Sequence, residues 1–317
     1  MKMNLKFFTT LSFLSLAVLS GNAAVERTFE GRQDIVCRGS DFWAGAIETA
    51  FAEQVWDACP RYNLKSELRG SRWAMNQLRS GKCDFVIALL PDKKTVPEIV
   101  SGAWKAIPVA YQTAVVVVAK SNTLDQISFY QLNGIFSRYP KERIDRWNQL
   151  ASDFDGLTQI RRLINLEQGS STAAFFQSKI SVNNLPLVSE VEKYYGNDAT
   201  LREVNYHSIA IVPSFNQLKY PGLKTLAVSA AMSKDEPATA YAPSLGNIAH
   251  GDYPLAVPFY FVYPADKRET ILPILSVAVS DKFSKVVESH GYAVPPKNQR
   301  LAIQNQIQKY FDEKSEK

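Results

Sequence analysis

The chain has 317 residues, 46% of them hydrophobic, with 36 Lys and Arg against 31 Asp and Glu for a formal charge of +5. That apolar content supplies a core and excludes a disordered chain, and so small a positive excess argues against nucleic acid or an anionic membrane as partner. Three cysteines with no CxxC or Cys/His spacing, and His207, His250 and His290 scattered along the chain, match no zinc pattern.

The first residues read as an export signal. Lys2 and Lys6 are basic, Phe7 to Leu19 is mostly apolar, and Gly21-Asn22-Ala23-Ala24 offers the small residues a signal peptidase requires. The apolar run falls short of the roughly 20 residues that cross a bilayer. No cysteine stands at the cleavage point to take a lipid anchor. Removal of residues 1–24 leaves 293 residues with a charge of +3, a size suited to two lobes in an exported, periplasmic protein.

Strand candidates follow in chain order at Ile35–Cys37, Leu64–Leu68, Phe85–Leu89, Ala114–Ala119, Ile209–Val212 and Leu255–Val262, with helical runs between most of them. Such alternation predicts an α/β protein with mainly parallel sheets flanked by helices, in which ligands bind beyond the carboxyl ends of the strands. The unbroken apolar run Ala114–Ala119 suits a fully buried strand or a crossing between lobes. In this layout Cys59 ends the first helix and Cys83 begins the third strand, at one edge of the sheet. A Cys59–Cys83 disulfide is expected with Cys37 left over; three free thiols is the alternative.

Three Gly-Ser strings lie where strands give way to helices: Arg38-Gly39-Ser40-Asp41 before Phe42–Trp56, Arg69-Gly70-Ser71-Arg72 before Trp73–Leu78, and Gly169-Ser170-Ser171-Thr172 before Ala173–Ser178. A helix start offers free N–H groups and a positive dipole end, and Ser or Thr adds a hydroxyl donor. Converging, they would hold an oxyanion; separately, each Ser or Thr is an ordinary helix cap.

These segments, with several others in order, resemble the PstS-like periplasmic phosphate-binding proteins of ABC transporters, which have the two-lobe type II periplasmic binding protein fold. Gly39-Ser40-Asp41 matches that family's first ligand loop. Gly70-Ser71 with Gly81-Lys82-Cys83-Asp84-Phe85 resembles a stretch of its first lobe. Asn133-Gly134-Ile135-Phe136-Ser137 with Trp147 resembles a segment of its second lobe. Gly169-Ser170-Ser171-Thr172 with Phe175 is similar to its anion loop, Tyr253-Pro254-Leu255 to its return crossing, and Ser280 to Pro295 to its C-terminal end. The resemblance implies a non-enzymatic binder of a small oxyanion, phosphate first, that partners an ABC permease, works as a monomer and needs no cofactor. It implies lobe one at residues 25–113 and 255–317, lobe two at 114–254, and a hinge near Thr113 and Tyr253. The ligand-binding residues it implies are Ser40, Asp41, Ser71, Arg72, Ser170, Ser171 and Thr172.

Two departures bear on the ligand. Leu166 stands where the family's anion loop carries Arg, and Leu89 where it carries the carboxylate that accepts a phosphate proton. Arg38, Arg69 and Arg72 flank the candidate loops and are suited to replace the missing guanidinium, unless they are solvated or paired with Asp41 and Glu67. Trp43, Trp73 and Tyr111 line the cleft or belong to the core, and Glu167 faces the cleft or supports its helix. The departures also motivate a second reading, a PstS-like module turned to another ligand or to a protein partner in sensing. An enzyme needs a nucleophile or paired carboxylates, and Ser170 has no G-x-S-x-G elbow around it.

Overall fold

The computed structural model describes residues 31–152, 154, 158–166, 172–181 and 186–316. The export signal therefore lies outside the described residues. Among those described, no helix is long and apolar enough to cross a membrane.

The chain opens on β1 (Gln33–Gly39), whose Ile35 and Cys37 face one side of a sheet and Val36 the other. A single 3-10 turn spans Asp41–Trp43, so the helix read from Phe42 starts later, as α1 (Ala46–Ala58). Then come β2 (Tyr62–Leu68), α2 (Ser71–Arg79), β3 (Phe85–Leu89), the short α3 (Pro97–Val100) and β4 (Trp104–Thr113). The Asp84 carboxylate, just before β3, accepts from the Val36 N–H at 2.7 Å and from Lys267 Nζ at 2.7 Å, which fixes the entry of β3 beside β1.

Ala114 separates β4 from β5 (Val115–Ala119), an all-buried strand of a different sheet. After it run β6 (Gln126–Ser128), α4 (Phe129–Phe136), β7 (Arg161–Asn165), α5 (Thr172–Ile180), β8 (Glu192–Tyr194), α6 (Asn197–Arg202) and β9 (Ser208–Val212). Next are β10 (Leu223–Thr225), β11 (Ala227–Ser229) and α7 (Leu245–His250). The chain returns on β12 (Ala256–Pro264) and finishes with α8 (Arg268–Ala278), α9 (Asp281–Ser289) and α10 (Lys297–Ser315).

Two five-stranded sheets result, ordered β2-β1-β3-β12-β4 and β10-β5-β9-β7-β8, with a two-stranded β11-β6 ribbon. This is a two-lobe α/β fold, each sheet flanked by helices. Each sheet is mainly parallel, with one reversed strand, β12 in the first and β5 in the second. β12 runs antiparallel to β3 and β4, and β5 antiparallel to β9 and β10, whereas β1, β2 and β3 and β7, β8 and β9 pair in parallel. The antiparallel members are the strands that carry the chain between the sheets and back, so alternation with helices could not announce their direction.

At the junction the Ala114 N–H donates to Leu255 O at 3.0 Å, and the buried Tyr253 hydroxyl donates to Ala114 O at 2.9 Å. Thr113 Oγ1 donates to Pro213 O at 2.5 Å, joining the end of β4 to the residue after β9.

The Gly134–Trp147 stretch is an internal brace. Trp147 is fully buried, stacks on Phe154 at 5.1 Å and donates through Nε1 to His207 O at 3.0 Å. The buried Arg162 guanidinium beneath it donates to Ile135 O at 2.7 Å and Ile144 O at 3.2 Å and pairs with Asp145. A charge so buried is tolerated because carbonyls and a carboxylate surround it.

The Cys59–Cys83 disulfide is not formed; all three cysteines are free and buried. Cys59 packs with Cys37 in the apolar cluster between the first sheet and α1, while Cys83 packs beneath α2 on the other face. The intervening sheet separates the two thiols, a separation that position along an edge could not reveal. Burial pushes the Cys83 thiol up to about 12.

Candidate functional site

The carboxyl ends of β1, β2 and β3 meet at one corner of the first sheet, where two of the three Gly-Ser strings come together. β1 ends at Gly39, where a Cβ would lie 2.7 Å from Leu68 Cδ2 and 2.9 Å from Ile87 O. Only a residue without a side chain lets the three strand ends approach this closely. The Ser40 N–H then donates to Ile87 O at 2.8 Å, and the Gly70 N–H to Gly39 O at 3.0 Å. Gly70, at φ +117°, is the residue from which α2 springs.

Ser71 is therefore the first residue of α2 and not its cap. Its hydroxyl oxygen accepts from the Leu89 N–H at 2.9 Å, which joins the start of α2 to the end of β3. Ser40 is 1% exposed, and its hydroxyl oxygen lies 3.4 Å from the Phe42 N–H, at the long end of a capping bond. The capping reading thus describes Ser40 in part and Ser71 not at all. Asp41 is exposed; its carboxylate stands 3.5 Å from Ser40 Oγ and 4.0 Å from the position of a Cβ on Gly70.

The three arginines separate. Arg38 pairs with Glu67 at 3.5 Å, and Arg69 pairs with the same carboxylate. Both guanidinium groups lie by the Trp73 ring, at 5.9 Å and 5.5 Å from its centre. Glu67 and Trp73 thus engage two of the three cations offered as substitutes for a missing guanidinium. Arg72 is exposed and forms no ion pair with any described residue.

Leu89 is half-buried and packs against the large apolar clusters of both lobes. It presents hydrocarbon and no acceptor at that junction. Trp43, offered as a cleft residue, is core: it is 1% exposed and packs 5.7 Å from both Phe259 and Phe283. Tyr111 is also buried, with its phenol pushed up to about 12 by desolvation and by Tyr260 nearby.

In the second sheet, β7 and β8 run in parallel, and the Leu166 N–H continues their ladder by donating to Tyr194 O at 2.8 Å. Thr172 is the first residue of α5 and is 2% exposed. Ser170 and Ser171, and with them Glu167, lie outside the described residues. Ser40, Asp41, Ser71 and Arg72 gather at one lobe, and Thr172 stands at the corresponding strand-to-helix junction of the other.

A family model described as "PBP superfamily domain" matches residues 25–280. The chain belongs to this family. It is 25% identical over 280 residues to the phosphate-binding protein PstS of Pseudomonas aeruginosa, covering 81% of this chain and 82% of that one. Among solved structures, it resembles a possible phosphate binding protein from Planctomyces limnophilus, with 19% identity, a TM-score of 0.67 and coverage of 88% of this chain and 98% of that one. PstS from Borrelia burgdorferi gives a TM-score of 0.63 at 15% identity, with 84% and 100% covered. The two structural likenesses carry the fold, and the family model and curated relative place the chain among PstS-like proteins.

The alternative that paired the flanking arginines with Glu67 holds for Arg38 and Arg69, whereas Trp73 as the ring beside both was missed. One signal lay in the strand pairing, where Glu67 is the β2 residue that registers with Arg38 on β1; Trp73, in the first turn of α2, gave none.

Proposed function

We propose that the chain is a periplasmic solute-binding protein that captures one small oxyanion, phosphate first, between its lobes and delivers it to an ABC permease. The observation that carries this reading is the junction at Ser71. A hydroxyl that accepts the Leu89 N–H at 2.9 Å has its own proton left to donate, and it does so at the N-terminus of a nine-residue helix. Hydroxyl and helix start together favour an anion. Thr172 opens α5 at the same kind of junction in the other sheet and supplies the second half of the site. The name borne by the Pseudomonas aeruginosa relative supports phosphate as the ligand class.

In this reading Ser40, Asp41, Ser71, Arg72, Ser170, Ser171 and Thr172 line the cleft. Lobe one spans residues 25–113 and 255–317, lobe two 114–254, and Ala114 and Tyr253 sit at the crossings that bend as the lobes close. A ligand touching both lobes favours the closed state by the contacts it makes only there. The protein acts by binding and not by catalysis, as a monomer, after removal of residues 1–24.

Solution scattering on the ligand-stripped mature protein tests the reading. Phosphate should contract the radius of gyration, and the contraction should disappear in Thr172→Ala at the same phosphate concentration. An unchanged radius at saturating phosphate contradicts lobe closure.

The second reading, a PstS-like module serving another ligand or a protein partner, is favoured by Leu89, which fills the junction of the lobes with hydrocarbon. Loss of oxyanion binding with an intact fold is its signature.

A further inference from the structure

Apart from the two crossings, the lobes touch where the end of α9 meets the end of β9. At Gly291, just past α9, the chain takes φ +83°. The Gly291 N–H donates to Glu288 O at 3.0 Å and the Tyr292 N–H to Val287 O at 3.3 Å. These two bonds make a Schellman turn, which ends a helix on a left-handed residue and so favours glycine. The residues that follow are fastened to lobe one. Ala293 and Tyr111 of β4 exchange backbone hydrogen bonds at 2.7 Å and 3.0 Å, and the buried Tyr292 donates through its hydroxyl to Phe42 O at 3.1 Å. Phe42 belongs to the 3-10 turn that also carries Asp41. Gly291–Ala293 is therefore a strap tied to the site side of lobe one.

Pro213 is mounted just as firmly on lobe two. It directly follows β9, its carbonyl accepts from Thr113 Oγ1 at 2.5 Å, and Ser214 O accepts from Asn197 Nδ2 at 3.1 Å. Because β9 runs parallel to β7, Pro213 lies at the end of the second sheet from which α5 springs.

The Pro213 ring faces Gly291. A Cβ at position 291 would stand 3.3 Å from both Pro213 Cβ and Cγ, inside the optimum carbon–carbon separation of about 3.5–4.0 Å. Neither side can yield by changing rotamer, since one is backbone and the other a ring closed onto its own backbone. Both pieces sit on the cleft side of their sheets and beside Thr113, where one lobe passes into the other. Bulk there pushes the lobes apart, and a small displacement near a hinge is magnified toward the lobe tips.

We propose that the contact between Pro213 and Gly291 is a stop on lobe closure, in which the proline ring packed on the bare glycine sets the angle at which the lobes rest. Such a stop fixes the smallest ligand that both lobes can touch at once. It needs the two-lobe fold alone and holds whatever ligand the cleft takes.

Solution scattering on the mature protein, purified free of ligand, tests the stop. Gly291→Asn adds a wedge in a residue type that tolerates the left-handed conformation. Gly81→Asn is the control for backbone strain, because Gly81 ends α2 in the same turn at φ +67° with no described atom within 4 Å of its Cβ position. Gly291→Asn should enlarge the radius of gyration, and Gly81→Asn should leave it at the wild-type value. Adding Pro213→Gly to Gly291→Asn should remove the increase, a non-additivity that strain at position 291 cannot produce. Pro213→Gly alone should contract the radius, and it decides the matter if Gly291→Asn does not fold. An unchanged radius in folded Gly291→Asn, an equal increase in Gly81→Asn, or an increase that survives loss of the Pro213 ring overturns the inference. So does a radius in Pro213→Gly that equals or exceeds the wild-type value.

Discussion

The Ser71 hydroxyl accepts the Leu89 N–H at 2.9 Å, joining the first residue of α2 to the last residue of β3. One bond thereby does two things: it completes the backbone hydrogen bonding of a half-buried strand end, and it orients the hydroxyl proton away from that strand. The two roles separate under mutation. Ser71→Ala should lower stability by about 1 kcal/mol, because a part-buried N–H loses its partner. The same change should weaken oxyanion binding by about tenfold or more, the loss of one charge-assisted bond. Thermal melting and calorimetric titration read the two effects independently.

Arg38 and Arg69 share Glu67 and flank Trp73, whereas Arg72 has no carboxylate partner among the described residues. Arg72→Ala should therefore weaken binding by about tenfold with little change in melting temperature, since the lost contact is to the ligand. Arg38→Ala should act the other way, lowering stability modestly and changing affinity by less than about twofold, because its guanidinium is engaged within lobe one. Comparable affinity losses for the two variants would show that the Glu67 pairing yields to the ligand.

Leu89 cannot accept a proton, so phosphate and sulfate should compete on near-equal terms. Leu89→Asp places a carboxylate at that junction and should shift the preference toward protonated phosphate, measured as the ratio of the two dissociation constants. Its cost is stability, on the order of 2–4 kcal/mol, because the leucine packs against both lobes. A variant that folds and still fails to discriminate places Leu89 outside contact with the ligand.

On the second sheet, Arg161 donates to Glu192 at 2.7 Å and also pairs with Glu203 at 3.1 Å. The hydrogen bond from Arg161 is the main reason the Glu192 carboxyl is held below its usual value. A carboxylate lowered in the folded state adds stability that is present above its ordinary value near 4.5 and lost as pH falls through the folded value. Glu192→Gln should thus reduce stability at pH 7 by less than about 1 kcal/mol, given the pair's exposure, and flatten the fall in stability below about pH 4.5. High salt should shrink the difference at neutral pH. Denaturant melts across pH read it directly.

The fold was largely legible in the sequence. Phe85–Leu89 and Val115–Ala119 announce buried strands by apolar runs, and Gly70-Ser71 marks the start of α2 by residue chemistry alone. The reversal of β5 and β12 within otherwise parallel sheets was not legible, because both take their direction from the path between lobes. Trp43, with the pattern of either a cleft or a core residue, is core because the 3-10 turn at Asp41–Trp43 turns its ring toward Phe259 and Phe283. β4 escaped notice since Pro108 and Lys105 interrupt its pattern, and its ladder with β12 is a long-range pairing. At the candidate site, the residue types of Ser40, Ser71 and Thr172 were visible. The division of the arginines was not, because it depends on register between β1 and β2.

The proposed function requires one oxyanion held by donors from both lobes. Calorimetric titration of the ligand-stripped mature protein with phosphate, repeated on Ser71→Ala, Thr172→Ala and the double variant, measures this directly. The prediction is one site per chain, with each single variant weaker by about 10- to 150-fold, the range for losing a hydrogen bond to a charged group. No heat at millimolar phosphate with the fold intact, or binding that neither substitution alters, would contradict it.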